Sequence, residues 1–138
     1  MSHLIRFGVS IEDFLLEQFD KLIKEKNYSN RSEAIRDLIR NELVRREWQD
    51  SDSQSVGTIT LIYNHHIGDL GNLLTDIQHN YNQFIISTMH VHLDHDNCLE
   101  VLVVKGRTGI IREIANKLIS IRGVKHGKLV TTTTGKYV

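Results

Sequence analysis

Residues 5–11 read Ile5-Arg6-Phe7-Gly8-Val9-Ser10-Ile11, an unbroken alternation of apolar with polar or small side chains. Period two predicts a strand with Ile5, Phe7, Val9 and Ile11 on one face and Arg6, Gly8 and Ser10 on the other. The pattern then switches to helical spacing. Phe14, Leu15, Phe19, Leu22 and Ile23 predict a helix over about 12–26. Asn30-Arg31-Ser32-Glu33 places an acceptor at a cap position and a glutamate three residues on, the start of a second helix. Its apolar stripe, Ala34, Ile35, Leu38, Ile39 and Leu43, runs to about residue 47. Strand, helix, helix leaves the strand unpaired within its own segment, and a lone exposed strand is unstable and adhesive. Pairing with the same strand of a second chain resolves this.

Residues 51–55 (Ser-Asp-Ser-Gln-Ser, following Asp50) carry no apolar anchor and are expected to be a linker between a domain over 1–50 and another over 56–138. Beyond it, strands are expected at 56–64, 84–93, 98–105 and 127–134, with helices at 68–81 and 108–121. The order βαββαβ is a ferredoxin-like or ACT-like arrangement, an antiparallel sheet with both helices on one side. The fold class is therefore α+β, a βαα arm followed by a βαββαβ domain.

Bulk composition fits a folded protein: 138 residues, 25% charged, 40% hydrophobic, with 17 basic side chains balancing 17 acidic ones. No apolar run approaches the roughly 20 residues that span a bilayer, and the N-terminus has no export signal. A cytoplasmic protein without membrane contact is expected. The single cysteine, Cys98, cannot form an internal disulfide. Histidine is more informative, for His65, His66, His79, His90, His92 and His95 all fall within one stretch ending just before Cys98.

Met89-His-Val-His-Leu-Asp-His-Asp-Asn-Cys98 concentrates this chemistry. His90 and His92, two apart on a strand, leave the same face about 7 Å apart. With metal–nitrogen bonds of about 2 Å, one ion can bridge them. Cys98 joins that face only if the turn holds five residues, 93–97, which sets position 98 opposite 92. On this reading Met89, Val91 and Leu93 point into the helix-covered core, while Cys98, Leu102 and Val104 line the open face. Two imidazoles and a thiolate leave room for a fourth ligand; a planar set indicates Ni(II) or Cu(II), a tetrahedral one zinc. The plain alternative is a His-rich hairpin with a buried cysteine and no ion.

A dimeric strand-helix-helix arm resembles the ribbon-helix-helix repressors, whose two-stranded ribbon enters the DNA major groove. That resemblance rests on the Arg6/Gly8/Ser10 alternation and on Asn-Arg-Ser-Glu-Ala-Ile-Arg-Asp (30–37). It implies that Arg6, Gly8 and Ser10 face the groove and that the helix start at Asn30, Arg31 and Ser32 sits on a phosphate. Gly8 departs from the pattern, having no side chain to read a base. The arm also lacks a basic excess, with 9 Lys and Arg against 10 Asp and Glu over residues 1–50. A pure dimerisation module is the alternative.

Joined to His-Val-His-x5-Cys on a βαββαβ domain, the arm resembles the nickel-responsive regulators of the ribbon-helix-helix class over nearly the whole chain. Lys105-Gly106 and Gly123-Val-Lys-His-Gly127 agree with that resemblance. It implies one Ni(II) per subunit, held by His90, His92 and Cys98 with His79 of a neighbouring subunit. It also implies a homotetramer, a dimer of dimers, that binds double-stranded operator DNA and represses when nickel is plentiful. Glu100 is expected beside the ligands, steadying an imidazole or forming an interface salt bridge, and His65 as a substitute ligand. Glu33 and Asp37, at i and i+4 on one helix face, match positions of a weaker cation site in that family. His3, His66, His95 and His126 are expected to be solvated. An amino-acid-sensing ACT-type regulator and a nickel store are the rivals. A metalloenzyme is excluded, for four protein ligands leave no open position and the chain shows no nucleophile–base pair.

Overall fold

The computed structural model describes residues 2–138, and the chain forms two compact units that part between Asn41 and Glu42. In the first, residues 2–12 form neither a helix nor a hydrogen-bonded strand. The strand expected at 5–11 is absent because a strand needs a partner and the unit offers none. Its apolar face stands in the open, with Ile5 84%, Phe7 70% and Val9 64% exposed.

Helix α1 spans Asp13–Glu25 and α2 spans Arg31–Glu47. Between them, Asn27 takes a left-handed conformation (φ 62°). The Tyr28 N–H then reaches Ile23 O at 3.0 Å and the Asn27 N–H reaches Lys24 O at 3.2 Å, satisfying carbonyls that α1 leaves open. Asn30 Oδ1 accepts from the Glu33 N–H at 2.9 Å and so caps α2. Ile23 and Ala34 are the buried side chains of this unit.

The second unit is a four-stranded antiparallel sheet built from β1 (Gln54–Asn64), β2 (Ile85–His92), β3 (Asn97–Arg107) and β4 (Val124–Thr131), in the order β2-β3-β1-β4. Helices α3 (Leu70–Asn80) and α4 (Thr108–Ile119) supply the crossovers of the expected βαββαβ chain. Strand β1 alternates strictly, burying Ser55, Ile59, Leu61 and Tyr63. Ile59, Leu61, Leu102 and Val104 pack with Leu70 and Leu74 of α3 and with Ile111, Ile114 and Leu118 of α4. Leu102 is fully buried between sheet and helices; its replacement by alanine is expected to cost about 2–5 kcal/mol, read from the midpoint of urea unfolding.

Two expectations about the sheet need correction. Cys98, Leu102 and Val104 lie on the helix-covered face, not the open one, because they share the core with α4. Met89, Val91 and Leu93 are correspondingly exposed, at 58%, 37% and 52%, rather than inside. Strand β3 is apolar on both sides (Leu99, Val101 and Val103 alternate with Leu102 and Val104), so hydrophobicity alone cannot choose its inner face.

The stretch 51–55 is also not a free tether. Gln54 and Ser55 already belong to β1, and Ser55 Oγ donates to Thr132 O at 2.6 Å. Trp48 is buried, with its Nε1 donating to Thr132 O at 2.7 Å, and its carbonyl accepts from Arg112 at 2.8 Å. Trp48, which follows α2 and belongs to the second unit, is thereby fastened to the sheet of that unit. The last strand runs over Val124–Thr131 instead of 127–134. Gly123, at φ 105°, turns the chain straight back from α4. Among the described residues no helix is long and apolar enough to cross a membrane.

Candidate metal centre

Strands β2 and β3 are joined by a tight turn whose order comes from Asp94. Its carboxylate accepts from the Asp96 N–H (2.9 Å), the Asn97 N–H (2.8 Å) and the Asn97 side chain (3.1 Å). These hydrogen bonds hold the Asp94 carboxyl below its usual range. The register that follows sets His92 opposite Cys98 and His90 opposite Glu100, as a five-residue connection requires.

Cys98 is fully buried, with His92 Nδ1 at 3.4 Å and His65 Nδ1 at 3.1 Å from its Sγ. His65, His92 and Cys98 bring one ligand atom each within 4.8 Å of one another. Burial, then the neighbouring rings of His66, His92 and His95, keep His65 below the ordinary imidazole value, so it is neutral at pH 7 with a lone pair to offer. Burial first, then the Asp94 and Glu100 carboxylates, push the Cys98 thiol up. The metal-free thiol is therefore protonated at neutral pH. Its alkylation by iodoacetamide is expected to be much slower in the native protein than in the denatured one, and to accelerate only above the ordinary thiol range. Rapid native labelling at pH 7 would contradict this.

His90 stands next to this group, its ring centroid 5.1 Å from that of His92. Tyr63, which sequence reasoning missed, reaches His90 Nδ1 at 3.4 Å and donates to Glu100 Oε2 at 3.0 Å. Glu100, almost fully buried, also accepts from Gln78 Nε2 at 2.7 Å. Among the described residues it hydrogen-bonds no imidazole itself; Tyr63 bridges it to His90. Burial and the Glu100 carboxylate push the Tyr63 hydroxyl up, keeping it a proton donor. The alternation of β1 marked Tyr63 only as a core position, and no spacing signal tied it to the histidines.

His79 lies on α3, one residue from Gln78, exposed and outside the His65–His92–Cys98 group. In the first unit Arg6, Gly8 and Ser10 are exposed, and a side chain at Gly8 would meet nothing within 4 Å. Asn30 caps α2, while Arg31 is clamped by both oxygens of Asp20 at 2.9 Å each. Ser32 is exposed in the first turn of α2. Glu33 pairs with Arg36 at 2.5 Å, and Asp37 takes the Tyr28 hydroxyl at 2.7 Å and Arg40 at 3.3 Å. Both carboxylates thus have partners on their own unit.

The chain thus joins an apolar unpaired arm and two helices to a ferredoxin-like unit in which imidazole and thiol groups meet. Residues 5–46 match the family described as "Ribbon-helix-helix protein, copG family", and residues 56–132 match "NikR C terminal nickel binding domain". The chain is 58% identical over 99% of its length, and 98% of the relative's, to a protein of Geotalea uraniireducens provisionally named nickel-responsive regulator. A protein of Thermococcus onnurineus under the same provisional name is 58% identical over 96% of both chains. The chain belongs to the nickel-responsive regulator family. Among solved structures, an uncharacterised protein of Thermotoga maritima shares the fold over 58% of this chain and 99% of its own, with a TM-score of 0.53 at 18% identity.

Proposed function

We propose that this protein is a nickel-dependent transcriptional regulator, a repressor whose paired N-terminal arms read operator DNA when Ni(II) is bound. The carrying observation is the meeting of His65, His92 and Cys98 at a buried thiol, beside His90, in a chain of this family. A thiol with several neutral imidazoles suits a borderline ion such as Ni(II). In the assembled protein His90, His92 and Cys98 hold the ion together with His79 of a neighbouring copy, one ion per subunit in a homotetramer. His65, beside Cys98 in the single chain, yields its place when His79 arrives. When bound, the ion ties two copies together; Gln78, next to His79, is already tied through Glu100 and Tyr63 to His90.

Sharing of the site is testable by complementation. His79→Ala and Cys98→Ala chains are each expected to lack the nickel–thiolate absorption, whereas unfolding them together and refolding regains part of it. A mixture as silent as its components would contradict a shared site. The DNA reading is tested by exposing the full chain to a pool of random-sequence duplexes with and without Ni(II). Enrichment of one inverted repeat only with Ni(II) is expected, since ribbon-type dimers read paired half-sites. Equal enrichment without the metal would remove the nickel dependence.

A further inference from the structure

Two imidazoles and a carboxylate converge outside the thiol site, at positions whose sequence setting predicts solvated side chains. Asp96 Oδ1 lies 3.0 Å from His95 Nδ1 and 3.8 Å from His66 Nε2, and the ligand atoms of the three residues lie within 4.8 Å of one another. The His66 and His95 ring centroids are 5.1 Å apart. Two donors each about 2.1 Å from one ion are about 3.0 Å apart in an octahedral set and about 3.4 Å apart in a tetrahedral one. Of the spacings here, 3.0 Å equals the octahedral value and 3.8 Å lies above the tetrahedral one.

The framework that carries these side chains is already fixed. Asp94 orders the turn, His65 N–H donates to Asp96 O at 3.3 Å, and His66 N–H donates to Asn64 Oδ1 at 2.8 Å. The carbonyl of His95 accepts from His66 Nε2–H at 3.0 Å, and an ion bound at Nε2 takes the place of that proton. All three side chains are substantially exposed, leaving open positions for water.

We propose that His66, His95 and Asp96 form a second, solvent-facing site for a divalent transition-metal ion, which captures the ion before it enters the thiol site. Two nitrogens and one carboxylate oxygen without a thiolate suit a hydrated, exchangeable ion such as Ni(II) or Zn(II) rather than a tightly held one. The route inward is short. His66 lies tilted against His65 with ring centroids 4.0 Å apart, and His65 Nδ1 is 3.1 Å from Cys98 Sγ. Exposed imidazoles thus lead to the buried thiol. The capture role rests on the nickel reading of the Cys98 site; the existence of the second site does not.

Equilibrium dialysis of the full chain against Ni(II) alone, with bound metal measured directly, separates the two. A weaker ion outside the thiol site is expected, the second per chain in the wild type and the one that remains in Cys98→Ala. It should be missing from Cys98→Ala carrying His66→Gln and His95→Gln, and weakened by Asp96→Asn, which keeps the backbone of the turn. Stopped-flow growth of the nickel–thiolate band is expected to slow severalfold in His66→Gln/His95→Gln, with its final amplitude unchanged. No second ion in the wild type, or a second ion undiminished in the glutamine variants, overturns the site. Unchanged loading with the second ion lost overturns the capture role. Should the wild type lack the thiolate band altogether, the thiol-site reading fails while dialysis still decides the second site.

Discussion

Alanine at His92 is expected to leave the protein folded and to lower its nickel affinity by more than about 100-fold, beyond what losing an outer orienting partner costs. His92 is exposed, pairs across the strands with Cys98 and places Nδ1 3.4 Å from Sγ. It fills no part of the core, so its removal leaves no cavity, and exposed positions of this kind shift stability by about 0.5 kcal/mol or less. The same substitution removes a donor that a loaded site cannot draw from the carboxylate-rich turn. Circular dichroism and urea unfolding should match wild type, while nickel-dependent retention of DNA disappears. Retained nickel response in a folded variant would dismiss His92 as a ligand. Replacing Leu102 has the opposite profile, weakening the fold without altering a donor.

Phe7→Asp is expected to abolish DNA binding at every nickel concentration. Ile5, Phe7, Val9 and Ile11 form an apolar strip with no cover in the single chain, and burying a phenylalanine in a paired ribbon contributes about 1.5–3 kcal/mol. The substitution removes that gain in both strands of a pair and sets two carboxylates in the place where the strips meet. Sedimentation should show a smaller assembly with the C-terminal unit still folded. Arg6→Ala acts differently, because Arg6 alternates with the strip and takes the opposite side in the proposed ribbon. It should preserve the assembly and cost about 1–3 kcal/mol for each base that Arg6 reads. Phe7→Asp that still binds DNA would mean that the arms do not pair through this face.

The parts legible in the sequence are those with a period and a punctuation mark. Both N-terminal helices, the order βαββαβ and the register of His92 against Cys98 follow from apolar spacing, the Asn30 cap and the five-residue connection. The arm could be read only as half of a structure, since its apolar face finds no cover within its own unit. The inner face of β3 was illegible because leucine and valine occupy both sides of it. Trp48 was missed as an anchor: its indole meets Thr132, far away in sequence, and the polar residues after Asp50 resemble a tether until that contact is known. His65 shares the fate of Tyr63. A loop after β1 carries no periodicity to say that it folds back on the hairpin, so its approach to Cys98 appears only in three dimensions. Composition supplies histidines in number, and the sheet decides which of them meet the thiol.

The most direct test is a titration of the wild type and Cys98→Ala with Ni(II), followed by absorption spectroscopy. The expected result is a sulfur-to-nickel charge-transfer band that saturates at one ion per chain and is absent from Cys98→Ala. A wild type without that band, or a variant that keeps it, would contradict a nickel centre built on Cys98.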